Sequence, residues 1–285
     1  MSTPQPPTQQ AAPVWQATDP GYHSPIPVVR THLGHAIASE WTKMRSVRST
    51  MWTLGVFVLL VVGIGLLTGA AVASTDPDLS GENPLPLGFF GLLLGGMCII
   101  TLGVLTTATE YGTGMIRTTM VACPSRGRVL AAKALVFFLV AFTVTLLSAT
   151  AVAFLHVAML GGNNAGEPTG GEWLKATVGI SLYLALLGTL SLAVGSIIRH
   201  SAGAITLMVG AVLAPLVIAM FMLATSLEGV HNFLLEYSIP NQMNIFYDNS
   251  LSMSGPSGWD PLWIMLGVTA AALGGAFALL GKRDV

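Results

Sequence analysis

Six apolar runs dominate this chain and leave it little choice of fold. They cover residues 51–73, 88–107, 134–160, 176–198, 202–223 and 261–280. Each reaches the length of about 20 apolar residues that a helix needs to cross a bilayer. The third is longer than necessary, so it either tilts or begins at the membrane surface. Only 9% of the 285 residues are charged, against about 25% in a soluble domain, and mean hydropathy is +0.71. The expected fold is therefore all-α: a polytopic membrane protein with six transmembrane helices in residues 50–285.

The basic residues set the expected orientation, because Lys and Arg concentrate on the cytoplasmic side of short connectors. Arg30, Lys43, Arg45 and Arg48 precede the first run, and Arg117, Arg126, Arg128 and Lys133 lie between the second and third. Arg199 separates the fourth from the fifth, and Lys282 and Arg283 follow the sixth. Of the twelve Lys and Arg residues only Lys175 falls in the alternate connectors, which carry Asp76, Asp78, Glu82, Glu167, Glu172, Glu228, Glu236, Asp248 and Asp260. Both termini are expected in the cytoplasm, and the localisation is a bacterial-type plasma membrane crossed several times.

Residues 1–30 are rich in Pro, Gln and Thr without an apolar block, which predicts a disordered cytosolic arm and no signal peptide. In residues 31–49, Leu33, Ile37, Trp41, Met44 and Val47 recur at helical spacing. That pattern suits a helix lying in the interface, with Trp41, Lys43, Arg45 and Arg48 as anchors toward lipid. The plain alternative is a cytosolic extension of the first span. Arg126 and Arg128 are expected at the same interface.

Within the runs, Gly65 and Gly69, Gly91 and Gly95, and Gly267, Ala271 and Gly275 repeat at four-residue spacing, which permits close helix approach. Pro215 should loosen or kink the fifth span. Between the fifth and sixth, residues 225–260 predict one or two short helices on or in the outer leaflet. They either close a pathway or cap the bundle.

The chemistry missing from the runs matters as much. None has an acid or base in its central part, where a charge costs at least about 2.5–3.5 kcal/mol and is usually kept for proton or ion coupling. A proton-driven carrier is disfavoured; sodium coupling through unwound backbone stays open. The hydroxyls there, such as Thr101, Thr106, Thr189 and Ser191, are expected to bond to backbone. The six His residues show no metal spacing, and Gly281-Lys282 lacks the remainder of a phosphate-binding loop. Neither cofactor, metal nor catalytic residues are expected, and nucleic acid is not an expected partner.

The one connector with concentrated chemistry runs from Glu110 to Lys133. Gly112 and Gly114 allow a turn as the second span ends, Met115 to Val121 suit one or two helical turns, Pro124 stops them, and Ser125 is a candidate N-cap for the next helix. Charge alone is equally served by a loop that only sets topology. The pattern Glu110-Tyr111-x-x-Gly114-x-Ile116-Arg117, followed by Pro124-x-Arg126-x-x-Val129 and Lys133, resembles the corresponding segment of ABC transporter permeases of the type 2 export class. The similarity spans about residues 30–285 and includes the order of parts; Gly112 stands where many members carry a bulkier polar residue. The resemblance implies that the 108–130 loop docks on a separate ATPase subunit through Glu110, Tyr111, Gly114, Met115, Ile116, Arg117 and Met120. It also implies a second permease copy, as a homodimer or a related pair, and an exporter that moves an unidentified substrate across the plasma membrane. The rival is an ion-coupled carrier or a membrane assembly protein.

Overall fold

The computed structural model describes residues 32–75, 79, 81–122, 125–161, 165–222, 227–250 and 255–282. The arm expected at 1–30, with Asp76, Asp78, Cys123, Pro124 and Arg283, lies outside them.

Hydrocarbon offers no partner for a peptide group, so a spanning segment must satisfy its backbone within itself. Helices do this, and among the described residues there is no strand. Helix α1 (Leu33–Ser46) is separated from α2 (Arg48–Ser74) by Val47, whose extended backbone interrupts the ladder; the two are distinct helices rather than one extension. A 3-10 turn, Leu85–Gly88, leads into α3 (Phe89–Gly112). Then come α4 (Met115–Ala122), α5 (Arg126–Leu160) and the short α6 (Gly170–Leu174). A π-helical turn, Lys175–Gly179, joins α6 to α7 (Ile180–Ile198). The chain finishes with α8 (Ser201–Phe221), α9 (Glu228–Glu236), α10 (Ile239–Ile245) and α11 (Asp260–Lys282).

Six helical segments are long and apolar enough to span: α2, the 3-10 turn with α3, α5, α6 through α7, α8 and α11. They match the six expected runs with small extensions. The largest is at the start of α5, which takes in Arg126, Arg128 and Lys133. Ser125 occupies its N-cap position in extended conformation, but the side chain makes no capping hydrogen bond. The fifth span continues as one helix across Pro215. Arg199 ends α7 in the left-handed conformation (φ 59°), and the His200 side chain caps α8 by accepting from the Gly203 N–H at 3.0 Å.

Spans α3 and α7 form the centre, with 61% and 72% of their apolar windows buried, against 22% for α2, α8 and α11. Glycine makes their approach possible. A Cβ on Gly103 would fall on the Gly188 carbonyl, and one on Gly188 would lie 2.6 Å from Ile99 Cγ2 and 2.7 Å from Phe137 Cε1. Two of the three anticipated small-residue repeats also serve close contact. Gly91 lies against the Val61 backbone, and Gly65 and Gly69 against Val152 and His156. Gly267 and Gly275 meet nothing within 4 Å.

Polar groups in the spans bond mostly along their own helix: Thr101 to Met97 O, Thr106 to Leu102 O, Thr189 to Ala185 O and Ser191 to Leu187 O. A few cross between helices. Thr107 donates to Leu192 O at 3.0 Å, Thr269 to Leu186 O at 3.2 Å, and His156 Nε2 to Gly65 O at 2.8 Å.

The expected pair of short helices before the last span is present, and its members differ. Helix α9 is exposed at Val230 and Phe233, whereas α10 is buried from Pro240 to Ile245. Pro240 opens this second helix under a Ser238 cap, as suits a residue without an N–H. Tyr183 donates to Gln242 Oε1 at 3.2 Å, and the Gln242 amide donates to Tyr237 O.

Substituting Ala for Gly103 should destabilise the protein by about 1–3 kcal/mol through overpacking. Gly267→Ala should leave it unchanged or raise stability by about 0.5–1 kcal/mol. Thermal unfolding in detergent compares the two, and equal effects would contradict glycine-dependent packing of α3 on α7.

Candidate functional site

The polar connector lies where α1, α3, α4, α5, the α7–α8 turn and the end of α11 meet. Helix α3 ends with Thr113 N donating to Thr109 O at 2.9 Å and Gly114 N to Tyr111 O at 3.3 Å. Gly114 then takes φ +72°, a left-handed conformation costing other residues about 1–2 kcal/mol. The Arg117 N–H closes the turn on Gly114 O at 3.1 Å, and α4 begins. The space around Gly114 is open, so the backbone angle, not crowding, demands glycine.

Helix α4 divides into two faces. Ile116 is buried and Met120 half-buried, while Gly114, Met115, Arg117 and Thr118 are exposed and Val121 is 84% exposed. The two remaining members of the resemblance set lie beneath, at the end of α3. Tyr111 is half-buried with the Arg199 guanidinium 4.7 Å from its ring centroid, a cation–π contact tying the α7–α8 turn to α3.

The side chain of Glu110 points into the protein. Its Oε1 accepts from Lys133 Nζ at 2.9 Å and from Lys43 Nζ at 3.1 Å. Glu40 completes the arrangement, Oε1 taking Lys43 at 2.8 Å and Oε2 taking Lys133 at 2.7 Å. Four charges thus form a closed ring in which every lysine touches both carboxylates. Glu40 and Lys133 side chains are each 4% exposed. Burial works against the Lys43 ammonium, but the hydrogen bond and charge of Glu40 and the charge of Glu110 outweigh it, so its pKa is raised above the ordinary lysine value. A raised lysine pKa keeps its stabilisation at all pH values below the unfolded pKa and loses it only as pH climbs through the folded one. Lys43 therefore stays charged across the physiological range. Lys43 Nζ also lies 3.5 Å from Thr119 Oγ1 of α4, and Arg126 donates to Leu280 O of α11 at 3.1 Å. Beside the ring is a cavity of about 120 Å³ walled by Met44, Val47, Leu102, Leu105 and Met115.

Among the anchor residues, Trp41 is 53% exposed, Arg45 and Arg48 are exposed, and Arg126 and Arg128 are half-buried. Sequence reasoning assigned no site role to Glu40, Lys133 or Arg199. One signal for Glu40 was available: it falls in the stripe Ala36–Glu40–Met44, an acid on the buried face of α1. No group of three or more His, Cys, Asp or Glu among the described residues is placed to hold a metal ion.

Removing one member of a buried pair strands its partners, at a cost of about 3–5 kcal/mol. Lys133→Met should therefore lower stability by that order. Lys175→Met, which breaks the more exposed pair with Asp248 (2.8 Å), should cost only about 0–1 kcal/mol. Unfolding midpoints of the two variants check the difference.

A family model described as ABC-2 family transporter protein matches residues 38–285. No curated protein matches the chain.

Proposed function

The chain belongs to the ABC-2 transporter family and is a membrane-embedded transport subunit; on that premise we propose that it is an exporter permease energised through α4 by a separate ATPase. The family supports an ABC ATPase partner, and there is no nucleotide-binding domain among the described residues. The lack of a central charge in the spans disfavours proton coupling and supports ATP hydrolysis by that partner as the energy source.

The observation that carries the proposal is the outer face of α4. Val121 and Met115 leave apolar surface open beside Arg117 on a short helix at the basic end. Exposed apolar groups rimmed by charge suit a protein partner. In this reading Gly114, Met115 and Arg117, with Thr118 and Val121, meet the ATPase. Glu110, Tyr111, Ile116 and Met120 hold that face from below. The distribution of Lys and Arg supports a cytoplasmic basic end with both termini inside. Helix α1 lies in the inner interface, anchored by Trp41, Arg45 and Arg48 with Arg126 and Arg128 toward lipid headgroups, whereas Lys43, expected among these anchors, turns inward to the ring. A second permease copy completes the translocation path, and ATP-driven closure of the ATPases moves substrate outward between the copies.

Arg117→Glu with Val121→Asp alters the outer face without touching the ion ring. Co-purification with the ATPase subunit should weaken by at least about tenfold, equivalent to roughly 1.4 kcal/mol, while the permease keeps its unfolding midpoint. Undiminished association would remove α4 as the docking element.

A further inference from the structure

We propose that the ring Glu40–Lys43–Glu110–Lys133 is a moving joint, in which Glu40 and Lys133 act as positioning residues that carry displacement of α4 and the end of α3 into α1 and α5. The proposal rests on α4 being the ATPase-facing helix and adds the path by which its motion leaves the docking site.

Three features of the ring support a joint over simple adhesion. First, it unites elements far apart in the chain: Glu40 and Lys43 come from α1, Glu110 from the end of α3 and Lys133 from α5. Buried ion pairs contribute little net stability compared with apolar packing, and their better-attested use is to specify geometry. Second, α4 has its own connection to the ring. The Gly114 turn (φ +72°) links it to α3, and Thr119 places its hydroxyl 3.5 Å from Lys43 Nζ. A push on α4 is thus resisted at one end by the backbone and near the other by the ring.

Third, the ring has an acceptor in reserve. Glu110 Oε1 takes both lysines, while Oε2 is buried without a hydrogen-bond partner among the described residues. Such an atom is costly to leave unsatisfied. A rotation of the α3 end that turns Oε2 toward Lys133 leaves Oε1 with Lys43 and retains all four charge pairings. The ring can therefore change its geometry without stranding a charge in a low-dielectric site. A second arrangement of similar pairing is thereby open to it, and elements with two discrete arrangements are what carry coupling between distant sites. Motion reaching α1 and α5 in this way passes along α5, a 35-residue helix, to the opposite end of the bundle.

The test uses the full chain with its ATPase subunit in lipid nanodiscs, with Cys98 and Cys123 replaced by Ala. Spin labels at Trp41→Cys on α1 and Phe233→Cys on α9 report the distance between the ends, without nucleotide and with ATP plus vanadate. The native ring should give a nucleotide-dependent shift. In Glu40→Gln with Lys133→Gln, Lys43 and Glu110 remain paired and the α4 surface is unchanged. ATPase association should persist while the shift is lost. An assembled double variant that keeps the native shift overturns the joint.

If the double variant does not assemble, the inverted ring decides: Glu40→Lys, Lys43→Glu, Glu110→Lys and Lys133→Glu together keep the alternation of charge. A restored shift supports the joint. An inverted ring that is unresponsive or unassembled counts against it, since alternation is all the proposal requires. If the native chain itself binds no ATPase or shows no shift, the docking reading fails first and the joint falls with it.

Discussion

Two carboxylates and two ammonium groups, all but Lys43 nearly shielded from water, must satisfy one another, and this requirement fixes where α1, α3 and α5 meet. Each lysine of the ring touches both acids at 2.7–3.1 Å, so no member can leave the ring without stranding charge in a poorly solvated site. The position of α4 follows from the same place. It leaves α3 four residues after Glu110, through a turn that only glycine adopts without strain, and its inner face packs toward the ring. Tyr111 beneath Arg199 and Arg126 on the Leu280 carbonyl bring the α7–α8 turn and α11 to the same end.

The rest of the bundle is arranged on different physics. Helices α3 and α7 approach through glycines rather than through charge, and their hydroxyls are mostly satisfied along their own helices. Among the described residues, no Asp, Glu, Lys or Arg lies in the central part of a span. The molecule therefore separates its tasks along its length: an apolar, closely packed body, and one end where polar chemistry, exposed apolar surface and a glycine turn coincide. That separation suits a subunit worked upon from outside, because a displacement applied at the polar end meets a body too closely packed to absorb it locally.

Much of this was legible in the sequence, for identifiable reasons. Hydrophobic run length specifies spanning helices almost without reference to tertiary structure, which is why all six appear with only their ends moved. The amphipathic run at 31–49 favoured a helix of its own before the first span, but its pattern did not locate the break at Val47. Gly65, Gly69, Gly91 and Gly95 make close contacts as their spacing suggested. Gly267 and Gly275 have the same spacing without such contacts, because spacing marks the capacity for approach and not the neighbour. The family resemblance drew attention to Glu110 but not to its direction. Of its two lysine partners, Lys133 closes the same motif 23 residues on, but Lys43 lies 67 residues earlier, and a motif confined to one connector has no means of registering Lys43 or the Glu40 beside it.

The central claim is that energy enters through the exposed face of α4. A photoreactive amino acid at Val121, in the full chain co-expressed with its ATPase subunit, tests this most directly, with the same group at Phe233 on α9 as the comparison. The account predicts a covalent adduct to the ATPase from position 121 and none from position 233. An adduct from position 233 without one from position 121 would contradict both the docking face and the orientation of the bundle.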